Sequence, residues 1–560
     1  MYNNLSYDLL AVAPELFQMS LMTMLLVFAL VFNTYSHNCS RRVFDHAAGF
    51  HNCIYQSFDF KPTLQVQSIL LVIIICLACC CVLYANQPLD DDFLLITCDD
   101  LSRFASLILC ASSAIVLGLC YQSFNRLCRY EFVFLIWFSI MAMLLLLRSI
   151  NLLFIYLCVE LQSLTFYMLA ATKSKSEANS EAGLKYFILG AFSSAFLLLG
   201  CTLCYASTGT LNLNDIAILV HTDVLLLQYT ICLSIGVACI VISFLFKLAA
   251  SPFHSWIADI YDGSLLPVTA FFATCSHIAT LSIFIRLSLL FHMTSYYFLV
   301  CVALLSLCFG TFNALRQVHI TRLIAYSSIN TAAWFIMCLV VQQYHLLLVY
   351  LTIYITTNLG LFAILTVPLF RSYATILFDI RRYTYTKHLP HSPQSAAVFT
   401  QFIHYISDLH MLCQTNFCCA SVLAICFFSL AGIPPLAGFY TKYLVLSAVI
   451  LEQHYLLAFV ALATALIASW YYVNLVKVMF FTTAQINTVN VVTKHLNTAT
   501  GPRSFASAIF AYVPFKHSHT QLFSLNILPF NAYVASVASM FSFAFFIRPD
   551  FLLILFPSVI

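Results

Sequence analysis

Residues 240–256 read IVISFLFKLAASPFHSW, and the fold turns on how that run ends. An uncharged stretch leads into Lys247, then into small residues, then into Pro252. Proline has no N–H to give the preceding turn and clashes with it, so a helix drawn through this run opens there. The chain as a whole is 62% hydrophobic and only 8% charged, with a mean hydropathy of +0.94. A soluble domain carries about 25% charged residues, so lipid is the solvent for most of this chain. Inside a bilayer an opened helix survives only where its freed backbone groups line protein or a water-filled cavity. The run therefore marks a cavity within the membrane, with an ammonium group at its edge.

A second run repeats the pattern. SLAGIP at 429–434 shares Leu-Ala-x-x-Pro with KLAASP at 247–252, and Pro435 follows directly. Working outward at roughly 20 apolar residues per crossing, fourteen spans can be drawn, from 9–32 to 526–547. The first break lies in the seventh span (229–250) and the second in the twelfth (417–450), which is long enough to hold one. Interrupted helices at matching places in two halves are a sign of inverted repeats around a mid-membrane site. Five spans apart, the two units have opposite orientation. The expected fold class is thus all-α: a polytopic membrane protein of about fourteen transmembrane helices, with two inverted five-helix repeats that each contain a broken helix. Its expected parts are three N-terminal helices with a polar first loop (1–130), repeats over 131–296 and 297–482, and a last segment (483–560) that ends in one helix. Two polar insertions, 369–416 and 483–525, read first as variable surface loops, with docking surfaces for neighbouring proteins as the alternative.

The basic residues test the count independently. Of 24, 17 fall in odd-numbered loops, three in even-numbered loops or termini, and four within spans. By the positive-inside rule both termini face the opposite side, the intermembrane space or periplasm. The first apolar run follows an acidic start and reads as a retained helix rather than a cleaved signal. A net charge of +3 with no basic run gives no reason to expect nucleic acid.

Cysteine is frequent, at 23 residues, but most lie in apolar runs such as CLACCCVL (76–83), where thiols act as small hydrophobes. The first loop holds His37, Cys39, His46, His51 and Cys53 at irregular spacing, and no metal is expected there.

Ionisable side chains at mid-bilayer cost on the order of 2.5–3.5 kcal/mol and are usually functional. Glu160 lies at the centre of the fifth span, His277 lies in the eighth, and Lys247 and Lys442 flank the two breaks. Such groups make a proton relay when burial and neighbouring charges bring their affinities close together. Arg286 and Lys477 lie near helix ends, where long side chains reach an interface.

The residues also resemble a known family, subunit 2 of NADH dehydrogenase, an antiporter-like membrane subunit of respiratory complex I. The resemblance rests on APELF (13–17), VELQSLTFYMLAA (159–171), SEAGLKYFILGAFSSAFLLLGCTLCYASTGTLN (180–212) and FKLAASPFHSWIADIYDGSLLPVTAFFATCSHIA (246–279). GTFNALRQVHITRLIAYSSI (310–329) and FSLAGIPPLAGFYTKYLVLSAVI (428–450) continue it. Within the family, the Asp259-x-Tyr261-x-Gly263 ending is similar to subunit 2 rather than to the other antiporter-like subunits. The resemblance implies a proton relay in which Glu160 pairs with Lys247 and Lys442 leads to the exit side. It implies no redox cofactor in this chain, with FMN, iron–sulfur clusters and quinone held by other subunits. It also implies partners: a neighbouring antiporter-like subunit, other membrane-arm subunits, accessory subunits and lipid. Two residues depart from the family pattern: His277 stands where lysine is usual, and Asn151 where an acidic residue is usual. High phenylalanine and cysteine, few glycines and two insertions point to the mitochondrial inner membrane, with a bacterial plasma membrane as the alternative. The rival function is a stand-alone cation/proton antiporter.

Overall fold

The structure is a computed structural model, and it describes residues 12–29, 62–85, 97–127, 130–172, 176–221, 227–290, 293–367, 369–371, 403–409, 412–481, 523–525 and 529–547. The histidine and cysteine group of the first loop and most of both insertions lie outside these residues.

The described chain is almost wholly helical. The N-terminal helices are α1 (Val12–Ala29), α2 (Pro62–Ala85) and α3 (Asp100–Leu127). The next group runs α4 (Tyr130–Arg148), α5 (Leu152–Ala170), α6 (Glu177–Thr208), the short α7 (Leu213–His221), α8 (Leu227–Lys247), α9 (Ile257–Gly263) and α10 (Leu266–Leu287). Then follow α11 (Met293–Ala314), α12 (Ile320–Val340), α13 (Tyr344–Leu365), α14 (Phe417–Ala431), α15 (Ala437–Leu451), α16 (Tyr455–Phe480) and α17 (Pro529–Ile547). Twelve described helices are long and apolar enough to cross a membrane. The shorter apolar stretch of α2 and the broken pair α14–α15 add two further crossings, so the fourteen spans read from hydropathy are all present. The chain is a multi-pass membrane protein.

Several short elements were not legible in the hydropathy. The nine-residue α7 and seven-residue α9 are too short to span. β1 (Leu369–Arg371) pairs antiparallel with β2 (Phe523–Leu525), Phe370 opposite Ser524, and so joins the start of one insertion to the end of the other.

The bundle has a centre. In α10, α12 and α13, 94% of the spanning residues are buried inside the protein, against 28% in α1 and 39% in α6, α16 and α17. A helix buried on all sides has no need of a polar face, and helices in lipid associate through close packing and interhelical hydrogen bonds rather than the hydrophobic effect. The breaks sit against this centre. α8 ends at Lys247 and the chain resumes as α9 at Ile257, while α14 ends at Ala431 and α15 begins at Ala437.

A buried ion pair fastens the N-terminal helices to the rest. Arg148 Nη1 at the end of α4 lies 2.5 Å from Glu15 Oε1 on α1, and both side chains are almost fully buried. The Tyr84 hydroxyl of α2 donates to the same carboxylate oxygen at 2.9 Å, and Arg148 Nη2 donates to Cys98 Sγ. Nearby, Arg286 at the end of α10 pairs with Asp99 at 2.8 Å and donates to Thr97 Oγ1 at 2.6 Å. Arg286 and Arg148 thus end their helices in specific partners on the segment before α3. Removing one partner of a buried pair strands the other charge, at about 3–5 kcal/mol. Arg148→Met is expected to lower the amount of folded chain in the membrane, as followed by thermal aggregation in detergent. The double variant Glu15→Gln with Arg148→Met is expected to recover part of the loss. Equal stability of the single variant and the unaltered chain would contradict the assignment.

Candidate functional site

The site is built on the two breaks. Pro434 and Pro435 have no N–H, so the carbonyls of Leu430 and Ala431, one helical turn earlier, lose their normal donors. Lys442 Nζ fills both vacancies, donating to Leu430 O at 2.7 Å and to Ala431 O at 3.1 Å. These carbonyls end α14, where the helix dipole is negative and favours a cation. The ammonium also lies 5.6 Å from the Trp334 ring centroid on α12, within cation–π range. Gly432 turns the chain with φ +83°, and a Cβ there would come within 2.9 Å of the Lys442 side chain. A Cβ on Gly438 would lie 1.8 Å from Ser429 O. The two glycines let α15 close on α14 and bring the lysine to the break.

The first break differs in detail. Trp256 Nε1 donates to Phe246 O at 3.0 Å, so here an indole meets a carbonyl near the helix end. Lys247 is left facing a narrow cavity of about 10 Å³ that is also lined by Gln162, Ser163, Trp256, Tyr261 and His277. His277, twelfth of the 22 residues of α10, is 3% exposed, and neither ring nitrogen has a partner among the described residues. Buried polar groups are as a rule hydrogen-bonded, so two unpaired ring nitrogens mark His277 as an exception.

Glu160 is the ninth of 19 residues in α5 and is half-buried. Ser163 Oγ, one turn on, donates to its Oε2 at 3.1 Å, and Ser163 also lines the cavity. Glu160 thus reaches the cavity that Lys247 lines only through Ser163. Among the described residues no direct ion pair within 4.0 Å joins Glu160 and Lys247. The two are arranged for attraction at a distance, not for a closed salt bridge.

Sequence reasoning missed the residue that connects the halves. Tyr354, on the central helix α13, packs edge-on against His277 with ring centroids 5.5 Å apart. It also lines a second narrow cavity, of about 10 Å³, with Thr357, Ser429 and Lys442. Its run, LLLVYLTIYITTNLGLF, gives no charge contrast to draw attention to one tyrosine. Asn151, in the family's acidic place, caps α5 by accepting from Leu153 N at 3.0 Å and donates to Asn212 at 3.3 Å. A neutral amide serves both bonds. Lys477 is exposed near the end of α16 and is no part of the site.

A bundle of crossing helices with two lysine-bearing breaks around a buried centre defines an antiporter-like membrane protein. The transmembrane family described as NADH:quinone oxidoreductase/Mrp antiporter matches residues 149–468. The chain is 32% identical to NADH-ubiquinone oxidoreductase chain 2 of Marchantia polymorpha, over 85% of this chain and 90% of that one. It is 36% identical to chain 2 of Oenothera berteroana over 69% and 74%, and 33% identical to NADH-quinone oxidoreductase subunit N of Beijerinckia indica over 68% and 75%. Among solved structures, a chain of respiratory complex I from Thermus thermophilus superposes with a TM-score of 0.66 at 23% identity, covering 87% of this chain and 93% of that one. A chain of the Mrp complex from a Dietzia species gives 0.69 at 16% identity, covering 100% and 97%. The chain belongs to the NADH:quinone oxidoreductase/Mrp antiporter family, among the relatives named chain 2 or subunit N.

Proposed function

We propose that this chain is a proton-translocating subunit in the membrane arm of NADH:ubiquinone oxidoreductase, and that Glu160, Lys247, His277 and Lys442 carry the proton. The observation that carries the reading is the continuity of the site. Lys247 and His277 share one cavity, Lys442 and Tyr354 share the other, and Tyr354 touches His277. In this reading Glu160 holds the proton on Lys247 by attraction. When that attraction weakens, the proton passes to His277, then by way of water and Tyr354 to Lys442. Carrying one charge through 100 mV costs about 2.3 kcal/mol, which a change of roughly two pKa units supplies. Helices α4 to α10 and α11 to α16 form the two inverted units, each with its break. Electron transfer and its cofactors (FMN, iron–sulfur clusters and quinone) belong to other subunits, and the coupling reaches this chain through its neighbours in the arm. The sequence reading places it in the mitochondrial inner membrane, with both termini on the side away from the basic loops.

Relatives named chain 2 or subunit N extend along most of the chain, which favours this reading over a stand-alone cation/proton antiporter. The test is native-gel separation of membranes solubilised in mild detergent, with the chain located by its peptides. Migration in a very large band that oxidises NADH is the expected result. Migration alone, or as a small oligomer without that activity, would transfer the case to the antiporter and to cation-driven proton flux.

A further inference from the structure

The seven residues of α9 lie between the first break and α10. A helix of two turns has no stability of its own, so its position is set by what holds it. Its inner residues, Ile257 and Tyr261, are buried and form part of the wall of the Lys247–His277 cavity. Its other face carries Asp259 and Asp262, and each is held by cations. Lys185 Nζ of α6 lies 2.7 Å from Asp259 Oδ2 and 2.8 Å from Glu181. Arg322 of α12 lies 3.7 Å from Asp259 Oδ1, and its Nε lies 2.9 Å from Asp262 Oδ2. His319 Nδ1 lies 3.2 Å from Asp262 Oδ1, which also accepts from Thr321 Oγ1 at 2.9 Å. Asn179 of α6 donates to the carbonyl of Gly263, the last residue of α9.

The network reaches one step further, into the end of the first insertion. Ile320 N donates to His404 O at 2.9 Å and Ile406 N to Val318 O at 3.0 Å, which lays residues 404–406 along the start of α12. The Tyr405 ring packs on His319 with centroids 4.7 Å apart. Lys185, Asp259, His319, Arg322 and the 404–406 segment all lie in or beside odd-numbered loops, the face where the basic residues gather.

We infer that Asp259 and Asp262 are positioning residues: by tying α9 to α6 and α12, they set how water from the basic face reaches the cavity that holds Lys247 and His277. The inference rests on the proton-translocating reading and adds to it the entry side and the residues that govern it. Single pairs this exposed stabilise by little, a median of about 0–1 kcal/mol. Their arrangement shows a different use. Two carboxylates on one short helix reach cations on two others, so α9 cannot shift against either without breaking contacts to the other. If the pairs loosened, Tyr261 and Ile257 would move with α9, and the cavity wall would change shape with the network.

The test uses the intact complex in proteoliposomes and reads protons moved per NADH oxidised. Asp262→Asn is expected to assemble normally and to lose part of that ratio, and Asp262→Glu, which keeps the charge, to restore it. An assembled Asp262→Asn complex with an unaltered ratio would overturn the inference, as would a Glu variant as impaired as the Asn one. Should Asp262→Asn fail to assemble, Arg322→Gln on the more exposed side of the same pair gives the same reading: a lowered ratio supports the inference and an unaltered one overturns it. Glu160→Gln, measured beside them, separates two kinds of failure. If it lowers the ratio and the α9 variants do not, only the inference falls. If it too leaves the ratio unaltered, the relay reading falls with it.

Discussion

Complex containing Lys442→Leu is expected to be present in reduced amount and, where assembled, to have lost proton translocation through this chain. Two consequences follow from one substitution. The carbonyls of Leu430 and Ala431 lose the donor that stands in for the missing N–H groups of Pro434 and Pro435. Each buried polar group left unpaired costs about 1–3 kcal/mol, so the break between α14 and α15 loosens. The second cavity also loses its one amine, since the other residues around it are Tyr350, Tyr354, Thr357, Ser429, Gly438 and two aliphatic side chains. A proton crossing that gap has no ammonium group to rest on, and translocation is expected to fall by at least about tenfold, a barrier rise of ~1.4 kcal/mol. Lys442→Arg separates the two consequences. Its guanidinium can still donate to both carbonyls and does not give up its proton, so assembly is expected to recover while translocation stays low. Quantitative blotting of the native band and the quench of a pH-sensitive dye in inverted vesicles read the two effects separately.

Glu160→Gln is expected to spare assembly and still lower translocation. Glu160 makes no ion pair within 4.0 Å among the described residues, and Ser163 can donate to an amide oxygen as it does to the carboxylate. The fold therefore loses little. In the proposed relay, what disappears is the carboxyl group near Lys247, and with it the interaction that would tune the lysine's hold on its proton. Glu160→Asp keeps the charge on a shorter side chain and is expected to retain part of the flux. Equal loss in Gln and Asp would point to side-chain shape instead of charge.

The contrast between these two variants matches what the sequence could and could not reveal. Lys247, Lys442, Glu160 and His277 stood out because each places an ionisable group in an apolar run. The breaks stood out because proline cannot complete a helical turn. The same two facts, taken together at Pro434 and Pro435, also foretell carbonyls in need of a donor, though not that Lys442, seven residues beyond Pro435, reaches back to them. That depends on the close approach of α15 to α14 at Gly438. Glu15 and Arg148 lie 133 residues apart, and only packing shows them as one buried pair. Tyr354 was hidden for another reason: its surroundings are apolar enough that one phenol makes no contrast. The helix α9 was hidden because seven residues between a proline and the next span carry no period long enough to read.

His277 is where the chain departs from the usual lysine. Imidazole titrates near pH 6.5 in water and lysine near 10.4. Edge contact with Tyr354 places His277 beside a residue that lines the second cavity. The account gives His277 a passing role and gives the storage of charge to Lys247 and Lys442.

The most direct test of the central claim is the number of protons moved per NADH oxidised by purified complex in sealed proteoliposomes, compared between the unaltered chain and Glu160→Gln at matched amounts of assembled complex. The account predicts a lower ratio in the variant. An equal ratio, with assembly and membrane sealing equal, would contradict it and remove Glu160 from the path of the proton.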